Sequence, residues 1–495
     1  MSEPGAVPDG PVRPVAAALA RYAGLAGAVL LTVAGWLGGA LPDTPAVTSL
    51  GAAWRAPHGP AVLGCWLVGT VLLVGAWWSL RWGAPSGRWA YLTAGLWVLP
   101  LLAAPPLGSR DVYSYACQGW SWTHGADPYR VGVVAAGCPW ADSVSPIWRD
   151  TPAPYGPFFV LLAGLAVLLG GGLVGTVVLL RVVAVAGVLL AAFCLPGLAR
   201  AVGVPTRRAV WLALACPLVG VHLVAGAHND AVGLGLLLSG LLVLVRRPGR
   251  PRTLVVAGLL LGLAVSVKAV AVVVLPFAAL VAVSGRCTWR ALLRDGGRLA
   301  GGVLAALVVT SLATGLGPGW VRGLARSGDS EQWTSPPTAV GLVVDYAGAL
   351  VGREPDAVPV VRAVALAVLA VLLVLLWWRA WTALRRLGGA GQPAARPRVA
   401  LAGAGLALAA TVLLAPVFHP WYATWPLALL AVATVAVART VWFVAPCAVA
   451  AVLTLPDGTN LARFTKAPGA ILMTALVVAV VVVAALRARR ARRPC

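Results

Sequence analysis

The sequence predicts an all-α, polytopic membrane protein with about fourteen transmembrane helices, and three observations lead to that fold class. Of its 495 residues, 60% are hydrophobic and only 11% are charged, whereas a soluble domain carries about 25% charged residues. Apolar runs of about 20 residues, long enough to cross a bilayer, recur along the chain. These runs are continuous rather than alternating, which predicts helices rather than barrel strands.

Fourteen spans are predicted, each to within a few residues. They cover residues 23–41, 60–80, 89–107, 174–198, 209–226, 230–246, 253–267, 269–284, 299–316, 358–380, 399–416, 421–438, 440–456 and 470–487. The apolar segment Pro157–Gly170 is left out because it is short, and because counting it would move Arg207 and Arg208 to the outside. We expect this segment to lie in or dip into the outer interface.

The formal net charge of +23 predicts which side of the membrane each loop faces. In a soluble protein such a charge would suggest nucleic acid, but in a membrane protein basic residues accumulate in cytoplasmic loops. When the N-terminus is placed in the cytoplasm, nearly all the excess positive charge falls on the cytoplasmic side. We therefore predict a multi-pass plasma-membrane protein embedded in the lipid bilayer, with both termini cytoplasmic and no nucleic-acid partner.

This topology leaves two long loops on the outer side, 108–173 and 317–355. Both belong to one transmembrane domain, predicted at 23–487, which lies between an N-terminal tail, 1–22, and a basic tail, 488–495. Loops of this length are uncommon unless they are functional or disordered. Their aromatic residues favour order, and we expect them to contain interfacial helices.

The first outer loop opens with SRDVYSYACQGW at residues 109–120 and continues with GADPYRVG and PYGP. Its candidate site residues are Asp111, Tyr113, Tyr115, Asp127 and Tyr155. An aromatic belt with a helix cap also explains the first motif, and turns explain the other two. Cys117 and Cys138 lie in the same loop and could pair if it faces an oxidising compartment.

Polar side chains also interrupt the apolar sequence further along, at GAHNDA and FHPWYATWP and at two isolated cations. The candidates are Arg181, His228, Asn229, Asp230, Lys268, His419, Trp421 and Tyr422. Charges buried near a bilayer are costly unless they are paired, and they are usually functional. A lysine snorkelling at a helix end would also explain Lys268, and Asp230 is an alternative to a phosphate as the partner of Arg181.

All these clusters fall toward the outer side in the predicted topology, which favours one chemistry. A carboxylate there can act as general base on a sugar hydroxyl while a lipid phosphate leaves. We expect Asp111 to be that base, with Asp127 and Asp230 as rivals, and Arg110 to keep it ionised. Arg181 and Lys268 are expected to bind the donor phosphate.

Taken in order, the five motifs SRDVYSYACQGW, GADPYRVG, PYGP, GAHNDA and HPWYATWP resemble one family over about residues 85–470. It is the actinobacterial polyprenol-phosphomannose-dependent α-1,6-mannosyltransferases, membrane glycosyltransferases of the GT-C class. The resemblance implies a polyprenyl (decaprenyl) phosphate mannose donor and a growing mannan of lipomannan or a related lipoglycan as acceptor. It also implies transfer on the outer, periplasmic or extracellular, face with inversion, and Asp111 as the base.

Two alternatives and one cofactor question stay open. A transporter or flippase of a lipid-linked sugar would show paired halves with matching broken helices, and no such halves are visible. A GT-C enzyme for another sugar, such as arabinose, would use the same scaffold. No cofactor is implied with certainty, and the acidic residues are too few to define a site for a divalent cation.

Overall fold

The computed structural model describes residues 14–326, 328, 330–387 and 394–491. In chain order the α-helices are α1 (Pro14–Gly38), α2 (Leu50–Arg55), α3 (Gly59–Ser79), α4 (Gly87–Leu102), α5 (Asp111–Thr123), α6 (Pro157–Gly170), α7 (Leu173–Val202), α8 (Thr206–Leu214), α9 (Asp230–Arg246), α10 (Pro251–Val267), α11 (Leu275–Ala282), α12 (Trp289–Thr314), α13 (Trp320–Arg326), α14 (Pro336–Leu350), α15 (Ala357–Arg386), α16 (Ala395–Leu414), α17 (Thr424–Ala433), α18 (Val441–Ala450) and α19 (Lys466–Ala491). A π-helix, Val219–Ala225, follows α8, and 3₁₀ segments, Ala269–Val274 and Pro420–Ala423, precede α11 and α17.

The all-α, polytopic class is confirmed. Within the described residues, seven helices are long and apolar enough to cross a membrane, and the bent pair of α8 and the π-helix would make eight. Each of the fourteen predicted spans overlaps helical chain, but α17 has only 10 residues and α10 has 17. The count of fourteen therefore stays a prediction. Of the predicted tails, residues 1–13 and 492–495 lie outside the described residues.

The helices α9 and α17 lie at the centre of the bundle. Every residue of α17 is buried, and so is most of α9. By contrast, α15 and α19 expose large apolar side chains along most of their length, as expected of helices that face lipid. Because other helices surround them, the central helices need not span the full hydrocarbon thickness.

The helices α9 and α10 form an antiparallel hairpin whose open end carries the polar residues. Asp230 begins α9 and Lys268 directly follows α10, and their side chains meet. Trp425, at the start of α17, joins them through its indole N–H. The α16–α17 connection therefore lies at the same end of the bundle as Asp230 and Lys268, while the α9–α10 turn lies at the other end.

A close crossing of α7 and α9 fixes the position of Asp230. A Cβ atom on Gly235 of α9 would lie 2.4 Å from the carbonyl oxygen of Gly187 in α7. Only glycine permits this approach, and small residues are the usual means of close helix packing in membranes. This close packing holds the start of α9, which carries Asp230, against α7.

The predicted interfacial segment forms α6 with the predicted bounds. The start of α6 lies beside the open end of the α9–α10 hairpin, because the Phe158 N–H donates to Oγ of Ser266, near the end of α10, over 2.9 Å. It packs against α5 so closely that a Cβ on Gly119 would lie 2.5 Å from Ala163 backbone atoms. That α6 does not cross the membrane stays a prediction.

Candidate active site

A cavity of about 230 Å³ opens at the end of the bundle where α9 begins. Its walls come from the first outer loop, the α10–α11 connection, α13, α16 and the α16–α17 connection. Six of the predicted site residues line it: Asp111, Tyr155, Lys268, His419, Trp421 and Tyr422. The fold thus brings polar residues from four separate segments of the chain into one chamber.

Asp111 is the first residue of α5 and, among the described residues that line the cavity, its only acid. Its N–H donates to Ser109 Oγ over 3.0 Å, and its side chain is 14% exposed. Burial raises the pKa of the Asp111 carboxyl to about 6, and the positive charge of Lys268 opposes that rise. The carboxyl is therefore ionised at neutral pH and still basic enough to accept a proton.

The expectation that Arg110 keeps Asp111 ionised is wrong. The Arg110 guanidinium donates to the backbone carbonyls of Thr44 and Ser143, away from the cavity. Adjacent residues at a helix start point in different directions, because the helix turns by about 100° per residue. Lys268, which is remote in sequence, provides the positive charge near Asp111 instead.

Lys268 and Asp230 form an ion pair at the inner wall of the cavity. Lys268 Nζ lies 2.5 Å from Asp230 Oδ2, and Asp230 is fully buried. Trp425 Nε1 donates to the other carboxylate oxygen, Oδ1, over 2.7 Å, and Lys268 Nζ lies 4.9 Å from the centre of the Tyr422 ring. An ammonium group has three hydrogens, so Lys268 can bind Asp230 and an anion in the cavity together.

Three more predicted residues lie directly behind the cavity. The Tyr115 hydroxyl lies 3.3 Å from His228 Nδ1 and donates to Asn229 Oδ1 over 3.4 Å. His228 Nδ1 lies 3.8 Å from Asp111 Oδ2. The turn that carries His228 begins at Ala227, whose φ of +52° is uncommon for a residue other than glycine. Such strained positions cluster at functional sites.

The aromatic residues of the α16–α17 connection are also in contact with this turn. The rings of His419 and Trp421 are stacked, with centroids 4.7 Å apart. The His228 ring lies 3.9 Å from the Trp421 ring. The two polar motifs, GAHNDA and FHPWYATWP, are thus packed together as one wall.

Two candidates from the first loop lie away from the cavity lining. The Tyr113 hydroxyl donates to the Ala40 carbonyl over 2.6 Å and so holds α5 to the end of α1. Asp127 accepts the Tyr129 N–H over 2.9 Å, which is the bond of a turn. Neither side chain lines the cavity.

Arg181 is likewise outside the cavity lining. Its guanidinium donates to the carbonyls of Leu102, Ala104 and Ala225, over 3.0, 2.7 and 2.8 Å. The ends of α4 and of the π-helix leave carbonyls without helical partners, and Arg181 binds them from α7. This geometry gives Arg181 a structural task and leaves Lys268 as the predicted cation that reaches the cavity.

Sequence reasoning missed several residues that line the cavity. They are Ser114, Gln118, Trp148, Arg326 and Trp425. Ser114 and Gln118 follow Asp111 by three and seven residues, a spacing that places all three on one helix face, so a signal was present. Arg326 is the last residue of α13, in the loop 317–355. No pattern in the sequence connects it with the loop 108–173.

Cys117 and Cys138, whose pairing the sequence left open, form a disulfide. It ties the buried face of α5 to the loop that follows it. Disulfides persist in oxidising compartments, which agrees with a first loop on the outer side.

The described parts of the chain contain no group of three or more His, Cys, Asp or Glu side chains that could hold a metal ion. Asp230 is held by Lys268 and Trp425.

Comparisons with known proteins point to one family. The model of the α-(1→6)-mannopyranosyltransferase N-terminal domain matches residues 21–284, and that of the MptB C-terminal domain matches residues 337–487. An α-(1→6)-mannopyranosyltransferase of Mycobacterium tuberculosis is 34% identical over 67% of this chain and 63% of its own length. α-(1→6)-Mannopyranosyltransferase A of the same organism is 33% identical over 82% of this chain and 79% of its own length.

A more distant relative is α-(1→6)-mannopyranosyltransferase B of Corynebacterium glutamicum, 30% identical over 68% of this chain and 58% of its own length. The chain thus spans less than two thirds of the length of several relatives that it matches. No solved structure matches the chain.

Proposed function

Because the chain belongs to the α-(1→6)-mannopyranosyltransferase family, we propose that it transfers mannose from a polyprenyl-phosphate-mannose donor to a growing α-(1→6)-mannan. The acceptor is the mannan of a lipomannan or related lipoglycan, and the reaction takes place on the outer face of the plasma membrane. The single observation that carries the proposal is the cavity in which the Asp111 carboxylate and the Lys268 ammonium line one chamber.

Asp111 acts on the acceptor. An acceptor hydroxyl is a weak nucleophile until its proton leaves, so a base must lie within hydrogen-bond reach of it. The hydroxyl oxygen attacks the anomeric carbon, the bond from that carbon to the phosphate oxygen breaks, and the proton goes to Asp111. A single displacement of this kind inverts the anomeric carbon. The leaving group is the polyprenyl phosphate.

Lys268 acts on the donor. Negative charge grows on the leaving phosphate, and a fixed cation in a site of low polarity stabilises that charge strongly. Asp230, which also accepts the Trp425 indole N–H, holds Lys268 in place. Arg326 reaches the same cavity from the second outer loop and is the second cation we assign to the phosphate. Arg181, bound to three carbonyls, has no part in this proposal.

Two features support the outer location. The first is the positive charge of the loops that the predicted topology places inside. The second is the Cys117–Cys138 disulfide beside the cavity. Both favour a cavity that opens on the side opposite the cytoplasm.

The proposal is tested with purified protein in detergent or vesicles, given radiolabelled mannosyl phosphopolyprenol and short α-mannoside acceptors. We expect acceptors longer by one mannose, with the new linkage cleaved by an α-(1→6)-specific mannosidase. Transfer of arabinose from an arabinosyl phosphopolyprenol, with no transfer of mannose, would establish the alternative enzyme that uses arabinose. Movement of the labelled donor across vesicles without a new glycosidic bond would establish a transporter and overturn the enzyme.

A further inference from the structure

A polar stripe on α5 runs from the proposed base along one side of the cavity. Asp111, Ser114 and Gln118 occur at intervals of three and four residues, and all three line the cavity. The distance from the first to the last is about 10 Å along the helix axis, from the rise of 1.5 Å per residue. The stripe is therefore long enough to contact one or two hexose rings.

Two atoms of this stripe are buried without a partner. Ser114 is 4% exposed and Gln118 is 7% exposed. Within the part of the chain that the structure describes, neither Ser114 Oγ nor Gln118 Oε1 has a hydrogen-bond partner. Buried polar groups in native proteins are nearly always bonded, and both residues line a cavity large enough for a ligand. The missing partners are therefore expected on that ligand.

The rest of the lining differs in character from the stripe. The α10–α11 connection, α13 and α16 contribute an apolar wall. Its residues are Ala269, Val270, Leu324, Val412 and Ala415. An isoprenoid chain suits these side chains, whereas a ring of hydroxyl groups suits a serine hydroxyl and a carboxamide. Trp148 also lines the cavity, and its ring offers an apolar surface to a sugar.

We propose that Ser114 and Gln118 bind hydroxyl groups of the acceptor's terminal mannose residues and select the acceptor. This inference rests on the proposed function and adds the acceptor subsite to it. The base must touch the attacking hydroxyl, so the acceptor lies against Asp111, and the stripe continues from that point. A site built to hydrogen-bond a hydroxyl rejects an analogue that lacks it, because the buried polar group then stays unpaired.

The test compares the KM for acceptor with the KM for donor in Ser114→Ala and Gln118→Met. Each variant should raise the acceptor KM about three- to tenfold, the range of one hydrogen bond, and leave the donor KM unchanged. Thr123→Ala, which removes a hydroxyl from the same helix outside the cavity lining, is the control and should change neither. A rise confined to the donor KM, or no change in either, would overturn the inference.

A series of acceptors that each lack one non-reacting hydroxyl makes the test sharper. At least one analogue should be poorer for the wild-type protein, and Gln118→Met or Ser114→Ala should remove that difference. If every difference persists in both variants, the side chains do not bind those hydroxyls. Size-exclusion elution and thermal unfolding confirm folding, and Gln118→Asn replaces Gln118→Met if the latter fails to fold. Failure of the wild-type protein to transfer mannose at all would instead refute the proposed function.

Discussion

At the scale of single residues, the environment of Asp111 decides its chemistry. Burial favours the neutral acid, while Lys268 and Ser109 favour the carboxylate, and the balance leaves the pKa at about 6. The sequence predicted the residue but assigned its charge partner to Arg110, its neighbour in the chain. The cation that matters is instead Lys268, which only the folded arrangement of α5 and α10 brings near.

Replacing Asp111 with Asn should lower turnover by about 10²–10⁴-fold, the usual contribution of a general base. The amide keeps the shape of the side chain but accepts no proton, so donor binding should persist. Turnover is measured with saturating donor and acceptor, and donor binding by equilibrium dialysis. Asp142→Asn, an exposed acid of the same loop, is the control. If Asp111→Asn keeps more than about a tenth of the activity, Asp230 becomes the candidate base.

The pH profile follows from the same carboxyl. The base works only when ionised, so kcat/KM should be level above about pH 6 and fall about tenfold per unit below it. The charges that act on Asp111 are those of Lys268, which lowers its pKa, and Asp230, which raises it. In Lys268→Gln the inflection should therefore move to higher pH. An inflection that is unchanged in this variant would show that another group controls the profile.

The sequence predicted that Lys268 and Arg181 both bind the donor phosphate, but in the structure their substitutions should have different effects. Lys268→Gln removes a cation from the cavity and should raise the donor KM about tenfold or more, as expected for the loss of a charged hydrogen bond. Arg181→Gln removes bonds to three carbonyls and should lower the unfolding temperature, with the donor KM unchanged. Both variants are assayed against a donor series and by thermal unfolding. A raised donor KM in a stable Arg181→Gln protein would return Arg181 to the phosphate site.

At the scale of elements, apolar runs predicted where the helices are, and charge predicted their alternation. Breaks within helices were not predictable, because they depend on neighbours remote in the chain. The π-helix and the strained Ala227 turn exist where Gly226 is confined by the Leu107 and His222 carbonyls. The burial of α17 could not be predicted from its composition, since a buried helix and a lipid-facing helix are equally apolar.

The disulfide should stabilise the cavity wall formed by α5. Cys117→Ser with Cys138→Ser should lower the free energy of unfolding by about 2–4 kcal/mol, as for other disulfides that close loops of moderate length. Thermal unfolding in detergent, with and without reductant, measures this change. Cys65→Ser, at a free and partly exposed cysteine, should behave as the parent protein does. Equal sensitivity of all three proteins to reductant would show that the pair contributes nothing.

At the scale of the whole molecule, the site is assembled from segments in both halves of the chain. Asp111 and Asp230 lie within the range matched by the N-terminal family model, whereas Trp425 lies within the range matched by the C-terminal one. The sequence predicted six of the residues that line the cavity, because polar and aromatic motifs stand out in apolar surroundings. It could not predict Arg326, because the loop 317–355 contains several other charged residues.

The predicted topology is tested by reporter fusions after Ala325 and after Arg487. A reporter active only outside should be active at Ala325, and one active only in the cytoplasm should be active at Arg487, because the excess positive charge belongs inside. Fusions after Arg250, in the α9–α10 turn, should match those after Arg487. Cytoplasmic signals at both Ala325 and Arg487 would contradict the fourteen-span arrangement.

The bond between Trp425 and Asp230 also sets an order of events at the ribosome. The two residues are 195 positions apart, so at about 5–20 residues per second the carboxylate waits on the order of ten seconds or more for its second partner. Lys268 is made much sooner, 38 positions after Asp230, and lets the α9–α10 hairpin enter the bilayer with its charges paired. The cavity wall closes only after Trp425 has been made, so a nascent chain that ends before this residue has an incomplete wall.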